Sequence, residues 1–390
     1  MSHVIQWRSG TVVSHGRAWP GCQELVVDVP PDTDDRAGTT LSTQAPVRAL
    51  AYTDVVGTPR PGDRVLLNTG ALSRGLGTGG YALVVAVPDA LPADAPPAPG
   101  HLVKARYTPL QTLVLGVDEQ ESAHHTMLRD ADDLAALPVV VADLHSALPA
   151  VVAGARHAAA RAGRPQPRVA YVMTDGGALP AAFSRTVATL RERGWLEACI
   201  TVGQAFGGDL EAVTTHTGLL AAHHVVGADL VVVAQGPGNL GTGTRWGFSG
   251  VSAGEAVNAA ATLGGRPVAS LRVSGADERE RHRGVSHHSL TAYGRVALAP
   301  ADVPVPVPDD VVGTLPGWPD DLTRTVHEQV TALADAGHRI VGVPADAALA
   351  AALEDVPVRL STMGRGFGQD PASFVAAAVA GLHAEALRAV

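Results

Sequence analysis

From residue 101 onward, short apolar runs alternate with longer stretches of helical period, and turn residues mark each change. "LPVVVAD", "RVAYVMTD", "ACITVGQ", "ADLVVVAQ" and "RPVASLRV" are near-continuous apolar runs of strand length. Between them lie "SALPAVVAGARHAAARAG", closed by Gly163, and "ALPAAFSRTVATLRERG", with Pro180 near its start and Gly194 at its end. "LEAVTTHTGLLAAHHVVG" and "SAGEAVNAAATLGG" continue the series; in the second, Ser252 and Glu255 have capping-box spacing and Gly264 suits a C-cap. Strands apolar on both faces and separated by helices predict a parallel sheet covered on both sides. The expected fold over 101–390 is therefore α/β, a mostly parallel, doubly wound, Rossmann-like sheet. The pattern weakens toward the C-terminus. A helix over 321–336, the strand "HRIVGVP", a short helix, the strand "PVRLST" and a last helix from about 371 to 389 are predicted there. "PADVPVPVP" (300–308) reads as a proline-stiffened connection.

Residues 1–88 follow a different rhythm. "GTVVSHG", "QELVVDVP", "VRALAYTDVV", "GDRVLLNTG" and "GGYALVVAVP" are short strands divided by Gly, Pro and Asp, which predicts a small all-β barrel or sandwich. Within it, "LSRGLGTGG" is either a binding loop or a glycine-rich hairpin connection. The proline-rich stretch 89–100 marks the linker between the two parts.

In an open parallel sheet, ligands bind beyond the carboxyl ends of the strands. The polar clusters obey that rule. The five strands run into Asp143–His145–Ser146, Asp175–Gly176–Gly177, Gln204 with Gly207–Gly208–Asp209, "GPGNLGTGT", and Asp277 followed by "RERHRGVSHHSLT" (279–291). "DLH" has the form in which one loop presents a carboxylate and an imidazole to a metal. Asp143, His145, Asp175, His287 and His288 are the candidate catalytic groups. His145, Asp175, His287 and His288 could complete a shell for a divalent zinc, manganese or iron ion. The competing reading is that a strand-end Asp or His caps the next helix.

Arg281 and Arg283 suit clamps for a phosphate or carboxylate, because a guanidinium pairs with oxyanions through two N–H groups. Arg279 and Glu280 read as a surface pair. Gly236, Gly238, Gly241 and Thr242 form a glycine-rich loop after a strand, either a phosphate-binding loop or a structural crossover. The three glycines satisfy the G-x-G-x-x-G spelling of NAD(P)-binding folds. However, no helix opens at Gly241, and the next strand-end acid, Asp277, lies past the expected spacing of about 20 residues. Lys104, Arg106 and Arg365 add positive charge. His124 and His125 lie in a loop, and His223 and His224 read as helix surface.

The chain of 390 residues carries a net charge of -9, which opposes general nucleic-acid binding and leaves the local basic segment to a small anion. With 46% hydrophobic, 17% charged and 4% aromatic residues, the core must rest on Val, Leu and Ala. Cys22 and Cys199 alone exclude a disulfide framework or a cysteine-rich zinc site. No signal-peptide pattern and no run of about 18 apolar residues appear, so the expectation is a soluble cytoplasmic protein that does not span a membrane, with a homo-oligomer left open.

"GHLVKARYTPLQ", "MTDGGALP", "FGGDLEAV", "GPGNLGTGT", "RERHRGVSHHSLT" and "STMGRG" together resemble the DUF3866 family, a domain of unknown function. The resemblance spans nearly the whole chain and implies a soluble bacterial protein. It carries no activity and no catalytic residues to transfer. From the residues themselves, the leading expectation is an enzyme acting on a phosphorylated or otherwise anionic small molecule, by hydrolysis or group transfer. An NAD(P) oxidoreductase and a non-catalytic metabolite sensor or scaffold are the alternatives. Neither a G-x-S-x-G elbow nor a P-loop is present.

Overall fold

The computed structural model describes residues 5–30, 46–77, 79–308 and 317–388; Thr78 of the glycine-rich segment and residue 389 of the last expected helix lie outside them. Two compact units divide the chain, residues 1–99 with 105–112, and residues 100–104 with 113–390.

The first unit is a closed barrel of β1 (Trp7–Trp19), β2 (Cys22–Asp28), β3 (Val47–Tyr52), β4 (Arg64–Asn68) and β5 (Ala82–Ala86), in the order β1-β2-β3-β5-β4. Every pair is antiparallel except β3 with β5, which makes it a five-stranded Greek-key barrel. Val12, Leu25, Val27, Ala49, Val65, Leu67 and Val84 fill it. Gly10 lets β1 approach β2, because a Cβ there would sit 2.6 Å from Val27 Cγ1. On the β2 side Glu24, itself buried, pairs with Arg17 at 3.0 Å and Arg48 at 3.5 Å and accepts the Tyr81 hydroxyl. Against the upward push of burial, Arg17 and Tyr81 hold the Glu24 carboxyl down at about 2.

The second unit is built on eight parallel strands: β6 (Pro138–Ala142), β7 (Val169–Thr174), β8 (Ala198–Thr201), β9 (Leu210–Glu211), β10 (Leu230–Gln235), β11 (Arg266–Ser270), β12 (Asp302–Pro308) and β13 (Arg339–Ala345). Their order is β9-β8-β7-β10-β6-β11-β12-β13. All residues of β6, β7, β8 and β10 are buried, as strands covered on two faces require. The helices are α1 (Leu148–Arg161), α2 (Arg185–Glu192), α3 (Thr215–Leu220), α4 (Ser252–Thr262), α5 (His287–Thr291), α6 (Asp320–Asp335), α7 (Ala347–Glu354) and α8 (Pro371–Leu387). α1 and α8 cross at glycines: a Cβ on Gly154 would lie 1.9 Å from the Ala378 carbonyl, and one on Gly381 1.9 Å from that of Val151.

Several boundaries differ from the sequence expectation. α2 begins at Ser184, whose Oγ accepts the Val187 N–H at 3.0 Å, and not near Pro180. Leu210 and Glu211 pair with β8, so α3 starts only after Thr214, which caps the Thr217 N–H at 3.1 Å. The Ser252–Glu255 capping box does not form, because a 3₁₀ turn over Ser249–Val251 continues α4 backward and Ser252 Oγ donates to the Ser249 carbonyl. "PVRLST" yields only Ser361–Thr362, paired with Arg365–Gly366.

The largest correction is β12, a strand where prolines suggested a connection. Pro304, Pro306 and Pro308 alternate, so the missing N–H donors fall on one edge of the strand only. β13 pairs along the other edge from Asp302 to Pro308, whereas β11 meets β12 at the single position Val268–Asp302.

Candidate functional site

At the carboxyl edge, the ends of β10, β6 and β11 lie side by side. Gln235 closes β10, and its Nε2 donates to the Asp143 main-chain carbonyl at 2.9 Å. Asp143 follows β6 and is 3% exposed. Burial pushes its carboxyl up to about 6, with Arg272 pulling the other way. Four buried side-chain atoms with no hydrogen-bond partner belong to this edge: Asp143 Oδ2, Gln235 Oε1, Ser270 Oγ and His287 Nε2. Buried polar atoms are normally paired, so these four make this edge the candidate site.

The segment after β11 folds back over that edge. Val273–Ser274 pairs antiparallel with Gly284–Val285, and a 3₁₀ turn covers Glu280–His282. Ser286 then caps α5 by accepting the His288 N–H at 3.2 Å. α5 runs into a π turn over Ala292–Val296, whose Tyr293 hydroxyl reaches the carbonyls of Val141 at 2.8 Å and Ser270 at 3.1 Å. That contact anchors α5 to the ends of β6 and β11.

Three imidazoles meet as a result. The rings of His282, His287 and His288 lie with centroids 4.9, 5.0 and 4.4 Å apart, and ring nitrogens from all three fall within 4.8 Å of one another. His282 Nδ1 meets Ser286 Oγ at 2.8 Å, and Arg272 Nη1 meets His288 Nδ1 at 3.1 Å. Asp143 Oδ2 is 3.9 Å from His288 Nδ1. Burial, followed by the positive charge of Arg272, lowers both His282 and His288 to about 3; burial and Arg281 also lower His287. All three are therefore neutral at physiological pH.

The arginines divide by partner. Arg279 and Arg365 share Asp277 at 2.8 and 3.0 Å, and Arg365 also reaches Asp370 at 3.2 Å. Arg279 thus pairs with Asp277 and not with Glu280. Arg281 is exposed, forms no ion pair among the described residues, and extends toward Gly243. Arg283 lines a cavity of about 340 Å³ with Glu280, Asp321, Thr325 and Gln329, a lining that does not include Arg281.

The long loop 236–251 contributes differently from its glycine pattern. Amides at Gly236, Leu240, Thr242, Gly247, Phe248 and Ser249 bond within the chain. Gly236 is packed against the Ala178 carbonyl, Gly238 adopts φ +95, Gly241 bridges Phe248, and the Thr242 hydroxyl contacts Thr244 at 3.0 Å. These four residues shape a loop that closes on itself and carries Phe248 inward onto His288, while Leu240 and Trp246 stay exposed.

Two further candidates stand outside the cluster. His145 uses both ring nitrogens, with Tyr171 Oη at 3.0 Å and Ser184 Oγ at 2.7 Å, and burial lowers it to about 4. It ties β7 to the cap of α2 and has no free lone pair for a metal. Asp175 accepts the Gln204 N–H at 2.8 Å and lines a cavity of about 270 Å³ with His216 and Glu255. Asp143, His287 and His288 are therefore brought together, His282 joins them, and His145 and Asp175 do not. Phe248, Ser270 and Arg272 escaped the sequence reading; Ser270 and Arg272 sat inside what looked like uninterrupted strand.

Fold and site together define a parallel α/β protein whose carboxyl edge gathers a buried carboxylate, three neutral histidines and an arginine with no ion pair among the described residues. The chain belongs to the family described as Protein of unknown function (DUF3866), which it matches over residues 48–381. No curated protein and no solved structure matches it. Among the described residues no helix is long and apolar enough to cross a membrane.

Proposed function

We propose that this protein is an enzyme acting on a phosphorylated or otherwise anionic small molecule, by hydrolysis or group transfer. The sheet is read as doubly wound and Rossmann-like. Connections between parallel strands are right-handed, and β6 leads leftward to β7 while β10 leads rightward to β11. Their helices then leave on opposite faces, and the crevice between the ends of β6 and β10 is the expected ligand position.

The observation that carries the reading is Asp143, buried, with an unpartnered oxygen and an acidity near 6. A carboxyl with that acidity exchanges protons readily near neutral pH. With Ser146, Ser270, Arg272 and Thr362 it lines a cavity of about 20 Å³, room for one water. Asp143 then serves as a general base through that water, and Arg281 holds the anionic group.

The experiment is a screen of phosphate monoesters with the wild type, Asp143→Asn and Arg281→Gln. The reading expects turnover whose kcat/KM rises with an apparent pKa near 6. That dependence should vanish in Asp143→Asn, and KM should rise at least tenfold in Arg281→Gln. Turnover indifferent to both substitutions overturns it. A metal-assisted version has one observation in its favour, the spacing of His282, His287 and His288, and would place the ion there and not on His145 or Asp175. For NAD(P) the loop offers little, since Gly241 opens no helix and seven of the loop's amides are already bonded.

A further inference from the structure

We infer that the three-histidine cluster is a seat for a tetrahedral oxyanion, a phosphoryl group or free phosphate, and not for a metal cation. This rests on the anion-handling reading above and names its ligand.

The argument is one of proton placement. A guanidinium has only donors, so the 3.1 Å contact between Arg272 Nη1 and His288 Nδ1 requires a lone pair on that nitrogen. A neutral imidazole with its lone pair on Nδ1 carries its proton on Nε2. His288 therefore has no lone pair on Nε2, and a metal bound there would force its proton onto Nδ1 and break the Arg272 contact. Binding a metal through Nδ1 instead would require Arg272 to leave. Ser286 repeats the logic. It is fully buried, its Oγ accepts the His288 main-chain N–H, and its remaining bond is to His282 Nδ1. The hydroxyl proton has that nitrogen as its acceptor, which puts the His282 proton on Nε2 as well. His287 has an unpartnered buried Nε2 and adds a third ring to the set.

Direction and charge agree with this assignment. An imidazole N–H lies in the ring plane. The planes of His282 and His288 are inclined by 88°, those of His282 and His287 by 51°, and those of His287 and His288 by 60°. Donors arriving from mutually inclined planes suit the oxygens of a tetrahedral group better than the two coplanar oxygens of a carboxylate. Arg272 and Arg281 place two positive charges beside the imidazoles against the one negative charge of Asp143, 3.9 Å from His288, a balance that attracts an anion.

The test uses inorganic phosphate, malonate and zinc chloride separately on the full chain at pH 7.5, followed by thermal melting and by ¹⁵N NMR of labelled histidines. Phosphate should raise Tm and shift the His282 and His288 signals, both starting in the Nε2–H form. Arg281→Met and His282→Phe should each weaken phosphate binding at least tenfold, while His282→Gln, which keeps an N–H donor, should retain most of it. Stoichiometric zinc binding that moves the His282 and His288 signals to the metal-bound range overturns the inference. Malonate binding without phosphate binding overturns it too but leaves the anion-handling reading standing. Failure of both anions to bind defeats that reading as well. To separate sources, glycerol 2-phosphate is compared with phosphate: tighter binding of the ester identifies a phosphorylated metabolite, and equal binding identifies free phosphate.

Discussion

The imidazole of His288 lies flat on the phenyl ring of Phe248, with centroids 3.9 Å apart and planes within 1° of parallel. Phe248 is 4% exposed and comes from the loop after β10, whereas His288 lies in the first turn of α5. One stacked contact thus joins the two segments that enclose the site. Replacing Phe248 by Leu keeps apolar volume but removes the stack, a loss of about 1 kcal/mol. Denaturant unfolding should show a drop of that size, and phosphate affinity should fall further than stability does, because loop and histidine lose their common register.

Asp143 has a stability cost that depends on pH. Its pKa is raised in the folded chain from 3.8 to about 6, so folding is favoured where the carboxyl is protonated. That contribution is fully present below pH 3.8, is lost as pH rises toward 6, and amounts to roughly 3 kcal/mol. Asp143→Asn should therefore be more stable than the wild type at pH 7.5 and lose turnover. Equal melting temperatures at pH 7.5 would show that the carboxylate finds compensation on folding.

His282 and His288 act in the opposite sense. Their folded pKa values are depressed to about 3, so their contribution is present above the unfolded value near 6.5 and fades as pH falls toward 3. Acid unfolding of the second unit should take up protons at these rings. His282→Gln should lower the pH midpoint, as followed by circular dichroism.

Lys104 holds the segment beyond β8 from inside. It is 2% exposed, donates to the carbonyls of Ala205 at 2.8 Å and Ala212 at 2.9 Å, and lies 3.4 Å from Glu211. Lys104→Met leaves a buried carboxylate and two carbonyls without their cation, and should cost about 3–5 kcal/mol in urea unfolding. Part of that loss should return in the double variant with Glu211→Gln.

Much of this architecture was legible in the chain. The runs at 138–142, 169–174, 230–235 and 266–270 are apolar enough to name their own strands, and placing the polar clusters at one edge followed from parallel topology. What escaped depends on pairing between distant segments. β12 carries alternate prolines that local rules exclude from a central strand, and only its uneven neighbours make them tolerable. His145 and Asp143 are two residues apart and looked equivalent. Tyr171 and Ser184 claim the first, and among the described residues no hydrogen bond claims Oδ2 of the second. Arg272 reads as one more residue of a strand until the segment 279–291 folds over it.

β6 has an awkward place in the life of the chain. Its neighbours on the sheet are β10 and β11, which are made long after it. As the polypeptide leaves the ribosome, an all-apolar strand waits with both edges unpaired while roughly a hundred further residues are added, several seconds at ordinary rates of synthesis. Under the proposed function, the same topology would delay anion affinity until the last of these strands has docked. In a refolding experiment, recovery of ligand binding would report the completion of the second unit rather than any earlier collapse.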